Sequence, residues 1–150
     1  MGHSAPLINS KITRSSMSCV LRIIGEELNV EELLKIDSNP DTYWKKGDPK
    51  LKTKPNDKKH LRSGAHYCVS EAEFNEFEKQ KKDVIKYLNK NEEKIKAIKK
   101  LAGIESIFLD FGIEQRDVFV QSDFFQPELI KLAGKLGLGI ELSQYPPCDD

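Results

Sequence analysis

The sequence predicts an α+β fold, a mixed or antiparallel sheet with helices packed on one face. Three observations lead there. Runs of β-branched, aromatic and apolar residues recur at Cys19–Ile24, Ala65–Val69, Ile104–Phe111, Val118–Phe124 and Leu138–Tyr145, each bounded by turn-forming or charged residues. Between most of them lie stretches whose apolar residues return with the period of a helix. A chain of 150 residues is also long enough for one core, burying about two-thirds of the surface its unfolded form exposes.

The first strand, Cys19 to Ile24, is dense in apolar residues and ends at Gly25. Asn29 is placed to cap a helix carrying Val30, Leu33 and Leu34, with Glu31 and Glu32 in the first turn, where the helix dipole favours acids. Asp37-Ser38-Asn39-Pro40 stops it. After the second strand, Ser70 and Glu73 have the spacing of a capping box, so a long helix is expected from there through Phe74, Phe77, Val84, Leu88, Ile95, Ile98 and Leu101. Asn89-Lys90-Asn91 is the point at which it would break in two. Ile107, Leu109 and Phe111 alternate along the next strand, and Gly112 to Asp117 is read as a hairpin link into Val118–Phe124. Pro127 suits the first turn of a helix bearing Leu129, Ile130, Leu132, Ala133 and Leu136, which Gly137 closes before the last strand; Pro146-Pro147 ends the domain. The expected order is β-α-β-α-β-β-α-β, a ferredoxin-like variant built on split βαβ units.

Residues 1–16 carry no helical or strand periodicity and are expected to form a flexible N-terminal tail ahead of a single domain over 17–150. They include no apolar run long enough for a signal peptide or a membrane helix, and Cys19, Cys68 and Cys148 are too few and too scattered for a disulfide framework or a paired CxxC zinc motif. The expectation is a cytoplasmic protein that makes no membrane contact. Acids and bases number 24 each, so no whole-chain field recruits nucleic acid, and any electrostatic function must be local.

Arg22-Ile23-Ile24-Gly25-Glu26-Glu27-Leu28 running into Val30 to Leu34, followed by Asn39-Pro40-Asp41-Thr42-Tyr43-Trp44-Lys45-Lys46-Gly47-Asp48, resembles the uncharacterised bacterial domain-of-unknown-function 4279 family over about Met17 to Tyr145. In that pattern a strand ends in Gly-Asp or Gly-Glu, here Gly25-Glu26. A short helix follows, then a Pro-Thr and Trp-x-Lys-Gly segment, here Pro40 to Gly47, a long helix, here Glu71 to Ala102, and a closing strand that ends in an aromatic residue, here Ile140 to Tyr145. Asp41 before Thr42, Ala65-His66-Tyr67 where the family usually has a tryptophan, and Ser143 where it usually has an acid depart from the pattern. The resemblance implies a fold and brings no activity with it.

Residue types capable of chemistry are present, but their spacing is against it. His66 and Cys68 share a strand face, yet no acid is placed to orient the imidazole, so they read as an ordinary sheet pair. His60, His66 and Cys68 lack a fourth ligand at any recognised zinc spacing. Gly134 to Gly139 sits at a helix end, where glycine caps, rather than at a helix start, where phosphate binds. Asp110, Asp117 and Asp123 read as exposed strand-edge acids. The sequence thus predicts no catalytic set, no metal site and no cofactor.

What stands out is Tyr43 to Pro49, which sets the only tryptophan beside two lysines and a Gly-Asp-Pro turn, followed by a lysine-rich loop to Arg62. Large aromatic residues next to cations are suited to anchoring a partner. Tyr43, Trp44, Lys45, Lys46, Asp48, Lys58, Lys59 and Arg62 are therefore the partner-binding candidates, with the loop otherwise read as solvated and mobile. The function expected is that of a small non-catalytic protein-interaction module, in its narrower form an immunity or antitoxin protein that binds a bacterial effector. The alternative is nucleic-acid binding, with the Lys45–Arg62 loop on phosphates and Tyr43 or Trp44 stacked on bases.

Overall fold

The computed structural model describes residues 17–147; the expected N-terminal tail and Cys148 lie outside them. Five strands form one mixed sheet: β1 (Cys19–Gly25), β2 (Thr42–Trp44), β3 (Ser63–Ser70), β4 (Ser106–Glu114) and β5 (Gly139–Tyr145), arranged β2-β3-β1-β4-β5. β1 lies in the centre, antiparallel to both β3 and β4, and only β4 and β5 run parallel. Four helices complete the fold: α1 (Val30–Ile36), α2 (Phe77–Lys90), α3 (Glu92–Lys99) and α4 (Pro127–Lys135).

Strand alternation decides which face the helices cover. Cys19, Leu21 and Ile23 of β1 stand beside Tyr67 and Ala65 of β3 and Phe111, Leu109 and Ile107 of β4. All belong to one buried cluster with Leu33 of α1, Val84 and Leu88 of α2, Ile95 and Ile98 of α3, and Leu129 and Ala133 of α4. Burying each such side chain is worth about 1.5–3 kcal/mol, so all four helices are drawn to this one face. The alternate residues, Val20, Arg22, His66, Phe108 and Asp110, point to the other side.

The helix signals predicted at Asn29, Asn91, Pro127 and Gly137 are present. Asn29 Oδ1 accepts from Glu32 N at 3.1 Å, the long helical stretch breaks at Asn91 between α2 and α3, and Pro127 opens α4. Gly137 (φ 70°) closes α4: its N–H bonds Gly134 O at 3.0 Å and Leu138 N–H bonds Ala133 O at 2.9 Å, the paired pattern a left-handed cap residue allows.

The order differs from the expected one at three places. Val118–Phe124 is not a strand and Gly112–Asp117 is not a hairpin link. Both sides of β4, which runs to Glu114, are already taken, by β1 and β5, so the following segment cannot fold back onto β4 as a hairpin. It is held instead by its own polar side chains: Arg116 pairs with Asp123 at 3.0 Å, and Gln121 bonds Arg116 N and Glu114 O at 2.9 and 3.3 Å. A strand was missed at Thr42–Trp44, too short to show periodicity, and it pairs with β3. The capping box does not start a helix, because Ser70 is still in the β3 ladder opposite Cys19; its hydroxyl receives Ala72 N–H, and α2 begins at Phe77. The order is therefore β-α-β-β-α-α-β-α-β. β1 and β2, joined through α1, run parallel on either side of β3, and β3 and β4, joined through α2 and α3, run parallel on either side of β1, the crossover arrangement of split βαβ units, with β5 added beside β4.

Candidate functional site

A row of polar and aromatic side chains crosses the sheet face opposite the helices. The register places His66 of β3 beside Arg22 of β1, with Thr42 of β2 on the other side of His66. Arg22 Nε donates to Asp110 Oδ2 of β4 at 2.8 Å, and its Nη1 donates to His66 Nε2 at 2.6 Å. Ser143 of β5 donates to the other Asp110 oxygen at 2.6 Å. Trp44 closes the row at the β2 side, edge-on to His66 with ring centroids 4.8 Å apart and stacked on His60 at 4.9 Å. The row thus takes one side chain from each of the five strands.

Its electrostatics are settled internally. Asp110 is buried, and it is balanced by the guanidinium it accepts from. Burial, and next the neighbouring Arg22 cation, push the His66 pKa down to about 4, so the ring is neutral near pH 7 and free to accept from Arg22. Burial likewise raises the Cys68 thiol to about 11, with Asp41 adding to the shift. A thiol held there carries almost no thiolate at neutral pH.

Trp44 is fixed in place. Its indole N–H donates to Arg62 O at 2.8 Å, and the ring lies over Gly64, where a Cβ would come within 2.5 Å of it. Only a residue without a side chain lets the indole lie this close to the strand. Tyr43, on the opposite pleat, is 43% exposed. Asp48 receives Lys45 N–H at 2.8 Å and closes the turn expected at Gly47-Asp48-Pro49. The loop beyond remains exposed, but its base is tied by a Pro49–Lys59 bridge and by Gly47 N to His60 O at 2.8 Å.

The cations of the candidate set are largely matched. Lys45 pairs with Glu31, Lys46 with Glu26 at 2.7 Å, and Arg62 with Glu105 at 3.2 Å. Lys59 bonds Pro55 O, while Lys58 is exposed and makes no ion pair among the described residues. The structure therefore holds the Trp44 ring in place and pairs Lys45, Lys46 and Arg62 beside it with acids.

The sequence profile of a domain of unknown function, DUF4279, matches residues 14–147. The chain belongs to the DUF4279 family. Neither the curated proteins nor the solved structures include a match.

In this DUF4279 chain the residues that sequence reasoning missed are Arg22, Asp110 and Ser143. Arg22 is one charge in an apolar strand, a usable signal, but its partners lie 88 and 44 positions away, at Asp110 and His66. The expectation that Asp110 and Asp123 are exposed edge acids is corrected: Asp110 is buried against Arg22, and the Asp123 carboxylate is held by Arg116 and Gln121. Beside the row, Phe74 stacks on Tyr145 at 5.1 Å over Gly112, giving the face an aromatic rim on its β5 side. A separate cleft of about 520 Å³ opens where β4 and β5 begin, and Phe108 and Glu141 on its wall also belong to the bare face. No helix among the described residues is long and apolar enough to cross a membrane, and no group of three or more His, Cys, Asp or Glu among them is placed to hold a metal ion.

Proposed function

We propose that this DUF4279 domain works by binding a protein partner on the bare sheet face, with Trp44 as the anchor and the Arg22–His66–Asp110 row as its polar floor. The observation that carries the reading is the row itself: one side chain from every strand, joined by hydrogen bonds and ring contacts, on the side away from all four helices. Binding surfaces gain affinity when the anchor is held before the partner arrives, since little conformational freedom is then lost on association. Trp44, bonded to Arg62 O and pressed onto Gly64, meets that condition. Binding rather than catalysis is favoured by His66, whose lowered pKa makes it a weak base and which already accepts from Arg22, and by the raised pKa of the nearby Cys68 thiol.

The narrower form of the proposal is an immunity or antitoxin role, in which one small domain presents this face to a single effector. Co-expression with the products of neighbouring genes tests it. Wild type should retain a partner that Trp44→Ala releases, and equal recovery by both would remove Trp44 from the interface. The ion pairs on Lys45, Lys46 and Arg62 favour a protein partner over a phosphate backbone, because each paired lysine or arginine has less charge to offer.

A further inference from the structure

The two edges of the sheet differ in character. The β2 edge is three residues long and runs straight into the lysine-rich loop, a guarded edge of the kind that discourages pairing. The β5 edge runs seven residues, Gly139-Ile140-Glu141-Leu142-Ser143-Gln144-Tyr145, with neither lysine nor proline and an unbroken register against β4. Most of its residues are exposed, and nothing among the described residues pairs with its outer side. We propose that β5 is a self-association surface: two copies pair their β5 strands antiparallel about a two-fold axis at Leu142, joining two five-stranded sheets into one.

The backbone supplies the first argument. In a parallel pair, alternate residues turn both their N–H and C=O toward the neighbouring strand. Tyr145 is one of these, since its carbonyl accepts from Gln115 N at 2.8 Å. The strand period of two then assigns Ser143, Glu141 and Gly139 to β4 and leaves the groups of Ile140, Leu142 and Gln144 facing outward. About an axis at Leu142, that residue meets its own copy, and Ile140 and Gln144 meet each other. Three consecutive hydrogen-bonded pairs form, every one between residues whose backbone groups already face out.

The side chains favour the same axis. Leu142 is 37% exposed and would be covered by the second Leu142. Glu141 falls opposite Ser143, and Tyr145 opposite Gly139, so no like charges meet. Moving the axis to Glu141 would set two carboxylates against each other. Moving it to Ser143 would bring Pro146, which has no N–H to give, opposite Ile140. A chain with equal numbers of acids and bases adds no long-range repulsion, and the two-fold contact closes on itself.

Sedimentation equilibrium of the full chain from about 1 to 200 µM tests the proposal through mass action. The expected result is a species of twice the 17.1 kDa chain mass at the upper end. Gln144→Pro, which removes an outward N–H without touching the β4 ladder, and Leu142→Lys should each weaken association at least tenfold while circular dichroism stays that of the wild type. Register is read by cross-linking. Leu142→Cys should form an interchain disulfide above the wild-type baseline, because paired Cα atoms about 5.5 Å apart suit that bond, whereas Gln144→Cys, facing Ile140, should not. A wild type that is monomeric throughout, variants that associate as it does, or equal cross-linking by both cysteines would each overturn the proposal.

Discussion

Arg22 Nε and Asp110 Oδ2 lie 2.8 Å apart on the bare face of the sheet, joining the central strand to β4. The carboxylate is almost wholly buried and the guanidinium about a quarter exposed, so each charge relies on the other more than on water. Asp110→Asn leaves Arg22 without its counter-charge and should cost about 2–3 kcal/mol in urea unfolding, below the figure for a fully enclosed pair because water still reaches the guanidinium. Replacing both residues, as Arg22→Met with Asp110→Leu, should recover most of that loss. An Asp110→Asn variant as stable as the wild type would show that the pair holds nothing.

The depressed His66 pKa gives a pH dependence of definite sign. Its folded value is about 4, against 6.5 for the free group, so between these limits the unfolded chain binds a proton at His66 that the folded chain refuses. Stability is whole above pH 6.5 and falls as the pH drops through that window. The ring is only half-buried, and solvent screening reduces the effect to about 1–2 kcal/mol. Unfolding at pH 7 and pH 4.5 should show a difference smaller by that amount in His66→Asn than in the wild type, and parallel profiles would refute it.

Gly64 sets how closely Trp44 can lie. A Cβ there would stand 2.5 Å from the indole and 2.8 Å from Ile23 O. Gly64→Ala should therefore lift the ring, shift the emission of this single tryptophan to the red, and destabilise the domain by about 1–3 kcal/mol as overpacking does. Unchanged emission would mean that the ring has room to spare.

Lys81 is buried, with Nζ donating to Phe124 O at 2.6 Å and lying 4.6 Å from the Phe77 ring centre. It pins the segment after β4 from beneath while Phe119 points fully into solvent. Lys81→Met keeps the aliphatic stem and loses this bond together with the ion pair to the exposed Glu78 at 2.9 Å. Amide exchange in residues 115–126 should accelerate, with a stability loss of about 1–3 kcal/mol, and unaltered exchange would show that the internal Arg116–Asp123 pair suffices.

Much of the fold was legible in local pattern. Asn29, Pro127 and Gly137 announce helix ends because capping is decided within a few residues, and the apolar runs of β1, β3 and β5 state their own period. Val118–Phe124 misled because Val118-Phe119-Val120 is a β-branched and aromatic run, while both sides of β4, the strand a hairpin would pair it with, are occupied. Trp44 was visible as a lone large aromatic residue, but its floor was not. Arg22, His66, Asp110 and Ser143 come from four strands, and only the register brings them into one row. The pairing of Lys45, Lys46 and Arg62 was hidden for a related reason, since Glu31, Glu26 and Glu105, which answer them, lie outside the loop.

The central claim is that the bare face around Trp44 is where a partner binds. Its most direct test is quantitative affinity capture from the native host with wild type, Trp44→Ala, and Lys131→Ala on the exposed side of α4 as a control. The account predicts a protein recovered equally by wild type and the control and reduced at least tenfold with Trp44→Ala, a loss of about 1.4 kcal/mol or more in binding. Recovery of the same protein in equal amount by all three would contradict it.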